Sequence, residues 1–451
     1  MSPQRKLILL GTFVHSKSRQ ELEFIHNAAL GVDSFGKIAE FIKDAGDIRE
    51  AQAELLQRLG WSLDEVDVRE AKSGQFFFPG FIDTHIHAPQ YANAGIFGKS
   101  TLLDWLNKYT FPLEASLKDL TKARRIYSTC IRRTLSHGTT TAAYYATIDV
   151  AATNLLADLC LSMGQRAFVG RVCMDDGAIN PDYYRDESAE EGRRATLDTI
   201  AHIKAIDPGY DIVSPILTPR FAPSCTPQAM RDLAQIHRET GLPIQTHVSE
   251  NASEIELVAT KFPESSSYTG VYDDHGLLTP RTILAHGVHL SEEEADLIAL
   301  RKSKVSHCPC SNTSLTSGMA RVNPSILDAA RQAALVSRCV AMGYAADEEK
   351  EKNKLTVEEA LYLATRGGAQ VVGLEDKIGG FDVGMDWDAQ LVGLYEVGPT
   401  GVPDTLEEDD SFVDTFGWET WDDRLAKWLF NGDDRNTKSV WVKGRLVHTR
   451  R

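Results

Sequence analysis

With 451 residues, 42% of them hydrophobic, the chain is long enough to bury one barrel-sized core and a smaller satellite domain. A net charge of −16 argues against a nucleic-acid partner, because an acidic surface repels phosphate backbones, and no apolar run is long enough to span a membrane. The seven cysteines, odd in number and scattered, fit reduced thiols in the cytoplasm better than a disulfide framework.

In chain order, the apolar run 7–14 contains Gly11 and lacks a small-residue cleavage site, which makes it a strand and not a signal peptide. A second short strand is expected at 36–42, and the charged stretch 44–72 is helical over 47–60. Strand patterns then recur at 81–87, 139–146, 167–174, 211–221, 243–250, 282–288 and 304–312. Amphipathic helix patterns lie between them at 118–137, 189–206, 227–241 and 291–301. Repeated strand–helix units with near-continuous apolar strands argue for a parallel sheet in an α/β protein. For this many units the expected form is a (β/α)8 TIM-type barrel, with its chemistry at the strand C-termini. Strands at 387–395 and 439–447, the latter containing the Lys443-Gly444 turn, close the chain. The expected organisation is therefore a small β-sandwich-like domain from both chain ends, 1–78 plus 377–451, beside a barrel over 79–376. The acidic run at 407–410 reads as a solvated loop.

Four histidines fall at or near strand ends: His85, His87, His247 and His286. Residues two apart on a strand share a face, so His85 and His87 both aim at one rim of the barrel. A lone His-x-His is more often a polar core or surface pair than a ligand pair. Two more histidines at later strand ends shift the balance to an open zinc site, which keeps a place for water. His137 sits at the opposite end of its strand and reads as structural, whereas His307 either orients substrate or packs. Glu250, three residues past His247, is placed to act as a general acid–base; the alternative is an ordinary helix N-terminal glutamate stabilised by the dipole. Arg220 closes the fourth predicted strand, where no lysine is available to be carboxylated and bridge two metals. Cys308-Pro309-Cys310 has the wrong spacing for a Pro-Cys-x-x-Cys zinc site.

Pro79-Gly80-Phe81-Ile82-Asp83-Thr84-His85-Ile86-His87 resembles the entry motif of the amidohydrolase superfamily, and Gln245-Thr246-His247 and Ala285-His286-Gly287 look like its next two ligand positions. Longer strings narrow the resemblance to the guanine deaminases. They are Ala88-Pro89-Gln90-Tyr91, Leu103-Asp104-Trp105-Leu106-Asn107-Lys108-Tyr109-Thr110-Phe111-Pro112, Gly164-Gln165-Arg166-Ala167-Phe168-Val169-Gly170 and Thr218-Pro219-Arg220-Phe221. The resemblance implies one Zn2+ per chain on His85, His87, His247 and His286, with Glu250 as the catalytic proton carrier. It further implies a water that hydrolyses guanine to xanthine and ammonia, and purine contacts from Gln90, Arg220 and Phe221. An arginine fork matches the O6 and N7 acceptors of guanine, and Phe221 is suited to stack on the ring. The bland alternatives are a surface ion pair for Arg220 and a core aromatic for Phe221. The segment 90–113, with Tyr91, Phe97, Trp105, Tyr109 and Phe111, is expected to form a lid, or else a packed satellite helix. A homodimer is left open by the resemblance, and no interface is legible.

One departure stands out. The family continues after the seventh strand to an eighth that ends in Gly-x-Gly-Thr-Asp, whose aspartate touches the metal and takes the water's proton. Here 311–322 runs straight into Asn323-Pro324-Ser325-Ile326-Leu327-Asp328-Ala329-Ala330-Arg331, which resembles the helix after that strand. About 20 residues, roughly one strand and most of a helix, have no counterpart. Asp328 is no substitute, because it lies inside a helical pattern. Either a transcript or gene prediction lost the segment between Val322 and Asn323, or the protein has lost catalysis. Intact patterns on both sides of the junction favour the first. The expectation is a chain with very low activity and weak zinc retention. Other readings are a different purine or triazine aminohydrolase, and a catalytically dead barrel that serves as a scaffold.

Overall fold

A computed structural model of the chain describes residues 4–96, 102–315, 324–398 and 411–450; Phe97, the Val322–Asn323 junction and the acidic run 407–410 lie outside the described residues. The N-terminal apolar run becomes β1 (Lys6–Ser18), which turns back into β2 (Glu21–Val32) and on to β3 (Ile38–Ile42), all antiparallel. The next segment is the helix Ile48–Leu59, where the Asp47 side chain accepts from the amides of Arg49 and Glu50 and Gly60 ends the helix at φ 63°. β4 (Val66–Glu70) joins β1 in parallel, and β5 (Gln75–Pro79) touches it at Phe13 and Phe77.

Gly80 alone separates β5 from β6 (Phe81–His87), and a Cβ there would sit 2.2 Å from the Thr140 side chain, so only glycine lets the chain pass so close to the next strand. Six more strands run parallel to β6: β7 (Thr139–Tyr145), β8 (Arg166–Gly170), β9 (Val213–Pro215), β10 (Ile244–Val248), β11 (Thr282–His286) and β12 (Lys304–Ser306). β6 to β9 form one ladder and β10 to β12 another, and the bridges Leu217–Ile244 and Phe221–His247 join the two. Helices such as Leu120–Ser136, Val150–Met163, Ala189–Ile206, Pro227–Thr240 and Glu292–Arg301 follow in turn, which makes this an α/β fold. The first and last strands meet through the hydroxyls of Thr84 and Ser306, 2.5 Å apart, but among the described residues no ladder pairs β6 with β12.

The chain returns through β13 (Ala389–Gly393), β14 (Thr437–Val442) and β15 (Arg445–Thr449), with Lys443 and Gly444 both at positive φ in the hairpin turn. These strands and β1 to β5 are hydrogen-bonded as one eight-stranded sheet. The polar–apolar mixture of β2 hid it from a periodicity reading, and so did its kink at Asn27, φ 47°. The expected strand 304–312 stops at Ser306, because Pro309 has no amide hydrogen to give a ladder and instead opens the helix Pro309–Leu315. Arg166 on β8 ties the two sheets together through buried ion pairs to Asp386 at 2.9 Å and Asp388 at 3.0 Å. Among the described residues no helix is long and apolar enough to cross a membrane.

Candidate active site

The period of two along β6 turns Asp83, His85 and His87 to one side, and the ends of β10 and β11 add His247 and His286. The four imidazoles converge: His85 lies 5.0, 4.8 and 5.1 Å from His87, His247 and His286, measured between ring centroids. Nitrogens of His85, His247 and His286 all fall within 4.8 Å of one another. His87 Nε2 is 3.1 Å from His247 Nε2, while its Nδ1 is buried with no partner among the described residues.

Neighbouring groups engage Nδ1 of two of the rings, His247 and His286. His247 Nδ1–H donates to the carbonyl of Arg220 at 2.5 Å, which leaves Nε2 as the ring's acceptor nitrogen. His286 engages Asn312 Oδ1 through Nδ1 at 2.9 Å and is held at φ 79°, a conformation costly for a residue with a Cβ and often kept at functional sites. Burial is the main reason His85, His87 and His247 titrate well below the ordinary histidine range, and it lowers His286 to about 4. The cluster is thus neutral near pH 7, the form that binds metal, and an all-nitrogen donor set suits zinc and its transition-metal neighbours.

Glu250 lies beside the cluster, with its Oε1 3.3 Å from His286 Nδ1 and accepting from the Ser311 hydroxyl at 3.2 Å. Burial pushes its carboxyl up to about 8. It does not cap the next helix; Asn251 and Glu254 do so as a capping box. Glu254 accepts from the amide of Glu250 at 3.1 Å and from the Tyr268 hydroxyl at 2.7 Å. Burial, and then the Glu250 charge, push Glu254 up to about 7 from 4.5. A folded-state value above the unfolded one means that the native state holds the proton more tightly. The stability contribution is therefore full below pH 4.5 and is lost as pH rises through about 7. Glu254→Gln is expected to flatten the fall in melting temperature across that window; an unchanged slope would show that Glu254 is not its source.

Gln90, Arg220 and Phe221 line the same cavity of about 270 Å³ as the histidines and Glu250. Arg220 forms neither a surface ion pair nor an open fork. It is 2% exposed, and both its terminal nitrogens bind Glu114, at 2.6 and 3.3 Å, over the Phe111 ring. Gln90 donates to the same carboxylate at 3.1 Å. Sequence reasoning missed Glu114; its only local signal is a lone acid in the apolar run Phe111-Pro112-Leu113-Glu114-Ala115. Phe221 packs with Trp105, Leu106 and Phe111 of the 102–115 segment in one buried cluster, and Tyr145 stacks on His87 at 4.4 Å. His307 and Cys308 also line the cavity, whereas Asp328 pairs with Arg331 on its own helix.

The amidohydrolase family profile matches residues 76–447. A probable guanine deaminase of Schizosaccharomyces pombe is 45% identical over 98% of this chain and 83% of its own length. This chain belongs to the guanine deaminase branch of the amidohydrolases. The guanine deaminase of Mus musculus is 38% identical over 99% of this chain and 97% of its own. Among solved structures, the guanine deaminase from C. acetobutylicum with bound guanine matches this amidohydrolase with a TM-score of 0.82 and 29% identity, over 98% of this chain and 100% of that one. The S. pombe alignment runs over 462 positions, more than this chain's 451 residues. At 98% coverage about 442 residues of the chain are aligned, so about 20 positions of the relative face a gap.

Proposed function

We propose that the chain catalyses hydrolytic deamination of guanine to xanthine and ammonia, with one zinc held by His85, His87, His247 and His286. When bound there, zinc makes a water nucleophilic near neutral pH. Gln90 and Arg220 hold the polar edge of the purine, and Phe221 lies against its ring. As oxygen bonds to C2, the protonated Glu250 carboxyl gives its proton to the neighbouring ring nitrogen. Glu250, now a carboxylate, takes one proton from the added oxygen and passes it to the exocyclic amino group; the C2–N bond breaks, ammonia leaves, and the second proton of that oxygen returns to Glu250 as C2 becomes a carbonyl. The observation that carries this reading is four neutral imidazoles and one carboxyl of raised pKa meeting in the cavity that Gln90 and Arg220 line. The seven free cysteines support a reducing, cytoplasmic setting.

The parallel strands are best read as a (β/α)8 barrel, residues 79–376, short of its eighth stave, with 1–78 and 377–451 as the satellite domain. The unladdered β6 and β12 edges support this, and the gapped positions against the S. pombe relative, about 20 in all, match one strand and most of a helix in length. Purified chain supplied with zinc is expected to form xanthine and ammonia from guanine and no hypoxanthine from adenine. Its kcat is expected below about 0.1 s⁻¹, against roughly 1–10³ s⁻¹ for ordinary enzymes. His247→Ala is expected to lower bound zinc, read by elemental analysis, and to remove the residual turnover. Adenine turnover exceeding guanine turnover, or guanine turnover untouched by His247→Ala, would reject the assignment.

A further inference from the structure

Glu114 is 1% exposed and lies behind the substrate-facing wall: Gln90 and Arg220 line the cavity, and Glu114 does not. Its Oε1 accepts from Gln90 Nε2 at 3.1 Å and from Arg220 Nη2 at 3.3 Å, while its Oε2 accepts from Arg220 Nη1 at 2.6 Å. One carboxylate therefore orders two side chains that come from distant parts of the chain. The order has a chemical consequence. Only the NH2 end of an amide can donate to a carboxylate, so Glu114 decides which way round Gln90 sits. The Gln90 carbonyl oxygen takes no hydrogen bond among the described residues and is the polar group left for a ligand. Arg220 likewise keeps its Nε–H without a partner among them, next to the cavity.

Resting on the guanine reading above, we propose that Glu114 is the specificity-determining positioning residue of the site: it presents an acceptor from Gln90 and a donor from Arg220, the complement of a purine edge that carries N–H beside a carbonyl oxygen. Guanine has that edge, with N1–H next to O6. Adenine has the reverse, a bare N1 beside an amino group. A site that presents a fixed acceptor rejects the reversed edge, because a buried polar group is then left unpaired or faces its like. Without the carboxylate the amide of Gln90 is free to turn over and accept either edge.

The test is the ratio of guanine to adenine dissociation constants, measured by calorimetry on the full chain and on Glu114→Gln and Glu114→Asp. A ratio is used because partial unfolding lowers the competent fraction for both ligands equally and cancels. Wild type is expected to prefer guanine. Glu114→Gln is expected to lose about tenfold or more of that preference, while Glu114→Asp, which keeps the charge, retains most of it. If Glu114→Gln gives no folded protein, a wild-type Glu114→Asp ratio combined with loss of preference in Gln90→Ala supports the proposal. An unchanged preference in Gln90→Ala overturns it. A wild-type ratio in folded Glu114→Gln overturns this inference alone, and a wild-type chain that shows no preference for guanine overturns it together with the assignment.

Discussion

Inserting between Val322 and Asn323 a strand that ends in an aspartate and the helix before it, about 20 residues in all, is expected to raise kcat on guanine by about 10²–10⁴-fold, and to raise bound zinc toward one per chain. The reasons are local and chemical. β6 and β12 approach only through the Thr84 and Ser306 hydroxyls, so backbone groups along those two edges have no ladder partners among the described residues. Both edges carry or flank the histidine cluster, and a strand laid between them would stiffen His85 and His87 from one side. Three acids near the site are committed elsewhere. Glu250 accepts from Ser311 and sits by His286, Glu254 is held by the capping box and Tyr268, and Glu114 is held by Arg220. None of them is left to take a proton from water while another group gives one to the purine. Unchanged kcat and zinc stoichiometry after insertion would mean that the shortfall lies elsewhere or does not matter.

In the restored chain, Glu250→Gln is expected to lower kcat on guanine by about 10²–10⁴-fold with little change in KM, and to leave the zinc content alone. The substitution keeps the shape and an acceptor for the Ser311 hydroxyl but removes the transferable proton. Burial is what makes Glu250 suitable. A carboxyl pushed up to about 8 carries its proton near neutrality, and so can act first as the donor that this attack needs. Loss of zinc on substitution would recast Glu250 as a group that orients His286. A kcat within a factor of about three of the parent would remove it from the chemistry.

Both effects concern residues legible in the sequence, because short-range periodicity places them. A strand sets residues two apart on one face, so His85 and His87 declare themselves together, and Glu250 stands three positions from His247. The Asp47 cap, the Gly60 stop and the Lys443-Gly444 turn are legible in the same way, because each is a conformational preference of a few neighbouring residues.

What the linear order could not hold is the set of contacts between residues far apart in it. Glu114 and Arg220 are separated by 106 positions, and a buried guanidinium acquires its partner only when the 102–115 segment folds over the stretch beyond β9 that carries Arg220. Arg220 therefore looks like an open fork in sequence and is a clasped one in the fold. The strand expected at 304–312 is cut short by a proline, and β2 escapes notice because its burial comes from neighbours on both sides and not from its own alternation. Chain-local chemistry named the four clustered imidazoles and the buried Glu250; the pairing of buried charges, which depends on solvent being shut out by distant segments, was decided by the tertiary structure alone.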